Sequence, residues 1–176
     1  MIGVHGWYAQ SILKNIIGVP IGTSALFASM MSESIRRKYE EAGVHLSPDA
    51  ITEIAIQHDG CVRDRADAFL AAITQNAKWV NALREAEAVF VVAHSQGAIV
   101  STFLLAHLLD KGLVNPERAR LCQLTMCGIF QGPFLHVKNS MTSSYLSYFE
   151  TDAARELFDC QASDSVVSIA HRAAYR

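Results

Sequence analysis

The segment Val91-Val92-Ala93-His94-Ser95-Gln96-Gly97 places a serine between small residues two positions before and two after it. That spacing is the signature of a nucleophile elbow. A serine hydroxyl is a weak nucleophile, so it must stand exposed at a sheet rim and touch a base. A sharp strand-to-helix turn provides the exposure by holding the serine in a strained backbone conformation, which demands small flanking residues. Ala93 and Gly97 meet that demand, with Ala93 adding one methyl where a glycine is usual. The same turn aims the amide of Gln96 at a substrate carbonyl. There it can stabilise a developing oxyanion, helped by the helix dipole. The implied chemistry is acyl transfer through Ser95. An ordinary strand–turn–helix with a serine cap is the competing reading, and the strand before and helix after favour the elbow.

His5-Gly6-Trp7 is the second chemical piece. A loop that ends a strand beside the elbow strand can supply another oxyanion amide. Gly6 lets backbone approach a substrate closely. Trp7 is the expected second donor, with Tyr8 next. The plainer alternative is a loop glycine beside a structural histidine.

These residues need a scaffold that brings them together. Residues 1–5 read as a short strand and 6–24 as a glycine-punctuated loop. Thr23 or Ser24 then caps a helix to about Ala42, ended by Gly43. Residues 52–57 fit either period, and strand is favoured because a long helical segment follows, from Val62 to Leu83. Residues 87–93 are a buried strand. Gly97 to Asp110 is a helix that is apolar nearly all round, ended by Lys111-Gly112. Residues 121–129 read as another buried strand. Strands separated by helices argue for a doubly wound parallel sheet, here of about four strands. Residues 131–176 change character: short helices capped by Thr151 or Asp152, and by Ser163 or Asp164, with no further strong strand.

At this point the chain resembles a family. Val4-His5-Gly6-Trp7, the stretch Ile17 to Ser24, Ala93-His94-Ser95-Gln96-Gly97, Gly132-Pro133-Phe134 and the stretch Tyr148 to Phe158 are similar to uncharacterised fungal proteins of the α/β-hydrolase fold. The similarity runs through almost the whole chain. It implies an α/β-hydrolase sheet with a serine esterase or lipase-like activity. The elbow is specific to the superfamily; the other segments mark the subgroup and do not reveal a substrate.

A hydrolase of this type orders its triad as Ser, then Asp or Glu, then His, the last two after later strands. The resemblance implies that these follow Arg176, so residues 1–176 are expected to form one partial domain: a sheet core in 1–130 and a helical, lid-like segment in 131–176. Within the chain, His107 reads as structural. His136 follows Pro133 near the expected rim. His171 follows Asp152, Asp159 and Asp164, giving a formal Ser–Asp–His order, but none of them follows a strand. His94 reads as a packing or hydrogen-bonding residue.

Other functions find less support. Charged residues make up 18% of the chain and the formal net charge is −2, so there is no basic footprint for nucleic acid. No apolar stretch reaches the roughly 18 residues of a membrane span. No signal peptide is visible at Met1-Ile2-Gly3-Val4, which reads as intracellular. Cys61, Cys122, Cys127 and Cys160 lack zinc-ligand spacing and read as reduced, buried thiols; no cofactor or metal is expected. Gly18-Val19-Pro20-Ile21-Gly22-Thr23-Ser24 is one residue short of a phosphate loop and lacks its lysine. The aromatic residues of 130–158 could cover an acyl pocket or be core contacts, and core is favoured. A covering lid implies a hydrophobic small-molecule ester. A non-catalytic binding or scaffold module of the same fold is the alternative function.

Overall fold

The computed structural model describes residues 1–7, 22–129, 151–160 and 162–175. Four strands form one parallel sheet: β1 (Ile2–Val4), β2 (Ile54–Ala55), β3 (Ala88–His94) and β4 (Arg120–Met126), in the order β2-β1-β3-β4. Six α-helices are described: α1 (Ser24–Glu41), α2 (Val62–Gln75), α3 (Ala77–Glu85), α4 (Gln96–Asp110), α5 (Asp152–Asp159) and α6 (Val166–Ala174). This is the α/β architecture expected, with about four strands.

The sheet is wound on both faces, and alternation along β1 shows how. Ile2 and Val4 are fully buried and join Val89, Val91 and Ala93 in one core with Phe69 and Ile73 of α2 and Val100 and Leu104 of α4. Gly3 points the other way. A Cβ there would lie 2.0 Å from Ser24 O, so α1 packs directly onto the opposite face at a position only glycine allows. Register fixes the rest: Ile2, Gly3 and Val4 pair with Val91, Val92 and Ala93. Because the strands are parallel, His5 and Ser95 leave the sheet at the same rim.

Local chemistry sets the boundaries. Thr23 caps α1, its hydroxyl accepting from Leu26 N–H at 3.1 Å. Gly43, at φ +77°, lets the chain turn just past its end. Gly112, at φ +62°, does the same after α4. β2 is a strand, as favoured, though only two residues long.

Four expectations need correction. Residues 62–83 are two helices, broken at Asn76. Asn76 takes an extended conformation, and its side chain accepts from Trp79 N–H at 3.2 Å, capping α3. α6 is capped by Ser165, accepting from Ser168 N–H at 3.2 Å, and not by Ser163 or Asp164. β4 is an edge strand and not a buried one. It pairs with β3 alone among the described strands, and Leu121 and Leu124 are exposed. For the same reason the cysteines are not all buried: Cys122 on β4 and Cys127 just beyond it are exposed, while Cys160 is buried.

Of the segment expected to be lid-like, residues 130–150 lie outside the described residues. The part that is described packs inward. Cys160 and Val167 belong to the core, and Glu156 Oε2 accepts from Val62 N–H at 2.6 Å, so α5 caps α2 from 94 residues away. Burial, followed by the nearby charges of Asp64 and Asp159, holds the Glu156 pKa above its ordinary value despite that bond.

Candidate active site

Ser95 stands between the last residue of β3 and the first of α4, at φ 55° and ψ −123°. A side-chain-bearing residue reaches that region only at a cost of roughly 1–3 kcal/mol. The turn is held from two sides. Ser95 N–H donates to Met126 O of β4 at 2.9 Å, and Ser95 O accepts from Ala98 N–H at 3.0 Å, starting the helix.

The small residues around Ser95 are needed for contact, not only for the turn. A Cβ on Gly97 would lie 2.5 Å from His5 O and 2.6 Å from Val4 O. The first turn of α4 therefore rests on the end of β1 with no room for a methyl. A Cβ on Gly6 would meet Ser95 Cβ at 3.1 Å and His94 O at 3.2 Å. So the structure brings Gly6 against Ser95, as expected of a loop that ends the strand beside the elbow strand. Trp7 follows, half-buried; Tyr8 lies outside the described residues. Ala93 is fully buried in the core, which accommodates its extra methyl.

Gln96 opens α4, and a first-turn amide has no intrahelical acceptor. Its side chain is fully buried. Oε1 accepts from Arg65 Nη1 at 2.6 Å, and Nε2 donates to Gly60 O at 3.3 Å. His5 is also fully buried. Its N–H donates to Ser24 Oγ at 3.1 Å, and its Nε2 accepts from His58 N–H at 3.4 Å. With Nε2 an acceptor, Nδ1 carries the proton and donates to Gly6 O at 2.5 Å. Burial first, and the Arg65 charge second, push the His5 pKa down to about 4. His5 is thus neutral at pH 7, with its ring turned inward and only its backbone at the rim.

Arg65 was not anticipated from the sequence. It is fully buried at the N-terminal end of α2, where Nε donates to His58 O at 2.8 Å and Nη2 to His5 O at 2.8 Å. With the bond to Gln96, one guanidinium joins the loop after β2, the end of β1 and the start of α4. Phe69 lies beneath it, 5.8 Å from ring centroid to Cζ. A buried cation costs several kcal/mol unless its donors are used. The available signal was helical spacing: Val62, Arg65, Phe69 and Ile73 share a stripe, so this arginine lies on the buried face.

His58 enters this network through its backbone, and His94 adjoins Ser95, its Nδ1 3.4 Å from where a Cβ on Gly6 would stand. His94 packs on Phe27 of α1, ring centroids 5.8 Å apart, which agrees with a packing role. His107 Nε2 lies 3.3 Å from Asp67 Oδ1 and so ties α4 to α2. His171 Nε2 meets Thr102 Oγ1 at 3.2 Å. Thr102 is seven residues beyond Ser95, roughly 10 Å along the helix, which takes His171 out of reach of the serine. Asp152 is placed 3.5 Å from Arg155. His136 lies outside the described residues. Among the described residues, no histidine bonds to Ser95, and no group of three or more His, Cys, Asp or Glu could hold a metal ion. Nor is any helix long and apolar enough to cross a membrane, again among the described residues.

The arrangement can present a strained serine at a sheet rim, with a helix-start amide on one side and a glycine-bearing loop on the other. Residues 1–176 match the YMC0/YMC35 alpha/beta hydrolase domain. No curated protein and no solved structure matches the chain.

Proposed function

The chain belongs to the YMC0/YMC35 alpha/beta hydrolase domain family, and from that premise we propose that it is a serine hydrolase acting on carboxylic esters, with Ser95 as nucleophile. The Ser95 hydroxyl attacks the ester carbonyl and its proton passes to a base. The tetrahedral oxyanion takes hydrogen bonds from the amides of Gln96 and Trp7. Collapse expels the alcohol, which leaves with that proton, and an acyl group remains on Ser95. Water then attacks the acyl-enzyme and releases the acid. The base and its acid stand outside the described residues on this reading.

One observation carries the proposal. Ser95 holds φ 55° at the rim where Gly6 comes against it and Gly97 seats the following helix on β1, and such strain is kept where surrounding structure enforces it. The substrate on this reading is a small-molecule ester; it is a hydrophobic one only if the aromatic residues of 130–158 cover the site. The test is labelling of the folded, full-length protein with a fluorophosphonate probe. Labelling that vanishes in Ser95→Ala supports a nucleophile. Absence of labelling in wild-type protein points to a non-catalytic member of the fold that keeps the turn for binding or scaffolding.

A further inference from the structure

Resting on the reading of Ser95 as nucleophile, we propose that Arg65 is the positioning residue of the oxyanion site, locking its two halves together from behind the sheet rim. The two amides assigned to the oxyanion come from separate segments. Gln96 starts α4, and Trp7 follows the end of β1. The strands align these segments, but ladder bonds stop at Val4 and Ala93 on that side. Beyond them, Arg65 supplies the cross-link. Nη1 holds the Gln96 side chain at 2.6 Å and Nη2 holds His5 O at 2.8 Å. Nε, bonded to His58 O at 2.8 Å, fixes the guanidinium plane relative to a third segment. Gln96 Nε2 returns to Gly60 O in that same loop.

Geometry explains why arginine suits the position. The acceptors lie around a planar fork, which a lysine ammonium on a flexible stem cannot reproduce. The His5 ring adds a second lock. Its Nδ1 bonds Gly6 O, so the peptide that leads into Trp7 is fixed by a ring beside the guanidinium. Arg65 touches no reacting atom on this reading; it acts through Gln96 and His5. Its full positive charge also sits one side chain behind the Gln96 amide, where it favours negative charge developing at the rim.

The experiment uses full-length wild-type protein with Arg65→Lys, Arg65→Met and Gln96→Leu. Gln96→Leu cuts the same cross-link while leaving Arg65 held by two carbonyls, so it keeps the test open if Arg65→Met does not fold. Two quantities are read: the second-order rate of fluorophosphonate labelling, and amide hydrogen exchange along the chain. The expected result is folded Arg65→Lys and Gln96→Leu proteins that label at least tenfold more slowly. Their amide exchange rises at residues 5–7 and 95–97, while α1 and β4 keep wild-type protection. Wild-type exchange at both segments in a folded variant overturns the proposal. So does exchange that rises equally over the whole chain, which marks a purely structural arginine. If wild-type protein does not label, the nucleophile reading fails by itself, and the exchange pattern still decides whether Arg65 ties the two segments together.

Discussion

Replacing Gly97 by alanine tests the closest contact in the site. The added methyl would start 2.5 Å from His5 O and 2.6 Å from Val4 O, against the 3.4 Å at which ordinary contact begins. Roughly 0.8–0.9 Å must therefore be found, and both obstacles are backbone oxygens with no rotamer to change. β1 cannot retreat freely, because it is bonded to β2 on one side and β3 on the other. α4 must lift instead, and its next turns carry Ile99, Val100, Phe103 and Leu104 in the core. Overpacking of this kind costs about 1–3 kcal/mol, and backbone obstacles place it near the top of that range. A better helix former recovers less than about 1 kcal/mol. The net expectation is a loss of about 2–3 kcal/mol, roughly 5–10 °C in melting temperature. Gly43→Ala is the control: φ is +77° with nothing within 4 Å of the added carbon, so only backbone strain of about 1 kcal/mol acts. Urea denaturation of wild-type protein and the two variants gives the comparison, with unchanged m-values as a check on two-state behaviour. If Gly97→Ala costs no more than Gly43→Ala, the tight seating of α4 on β1 is wrong. If it does cost more, fluorophosphonate labelling should fall as well, because lifting α4 carries the Gln96 amide away from the loop after β1.

Three further outcomes are expected. Ser95→Gly should be more stable than Ser95→Ala by about 1 kcal/mol, since glycine occupies φ 55° without strain; equal melting temperatures would remove the strain argument. His5 gives a pH dependence of definite sign. Its folded pKa of about 4 lies below the ordinary 6.5, so folding favours the neutral ring. That contribution is complete above pH 6.5 and is lost as pH falls toward 4, by roughly 3 kcal/mol in all. His171, also lowered by burial and then by Arg172, acts in the same direction, so His5→Gln is compared with wild type. Denaturation midpoints that fall in parallel for the two proteins over that interval would falsify the His5 account. Finally, the described residues bring no base to Ser95, so residues 1–176 should turn over p-nitrophenyl butyrate no faster than their Ser95→Ala variant unless a residue outside the described ones, such as His136, supplies it. Turnover abolished by that substitution would show a base within the chain.

What the sequence revealed was mostly local. The elbow could be read because its physics is confined to five residues, with strand, turn and helix adjoining. Thr23, Gly43 and Gly112 act on their own neighbours, so their roles were legible too. Asn76 was missed because the stretch around it contains neither glycine nor proline, and asparagine is a helix cap only where the backbone already bends. β4 was misjudged because an apolar strand looks the same whether or not anything lies over it; exposure of Leu121 and Leu124 is set by neighbours and not by composition. Arg65 was hidden in Val62-Arg63-Asp64-Arg65-Ala66-Asp67, a stretch that reads as a solvated helix start. Its partners are 7, 31 and 60 residues away, so only the fold shows what its charge is for.

The order of the sheet has a kinetic consequence. β1 is an inner strand, yet it precedes both of its neighbours in the chain, and Ile2 to Val4 meet Val91 to Ala93 across about half the chain's length. Closing so long a loop must precede any return from the contact, and parallel pairing of this kind is slow. The helices between can form earlier on local contacts alone. The close contacts of Gly6 with Ser95 and of Gly97 with the end of β1 are therefore among the last to take shape. Until β1 docks, Val89, Val91 and the apolar face of α4 lie open, which makes that step the one at which a chaperone, or a second unfolded chain, competes for the molecule.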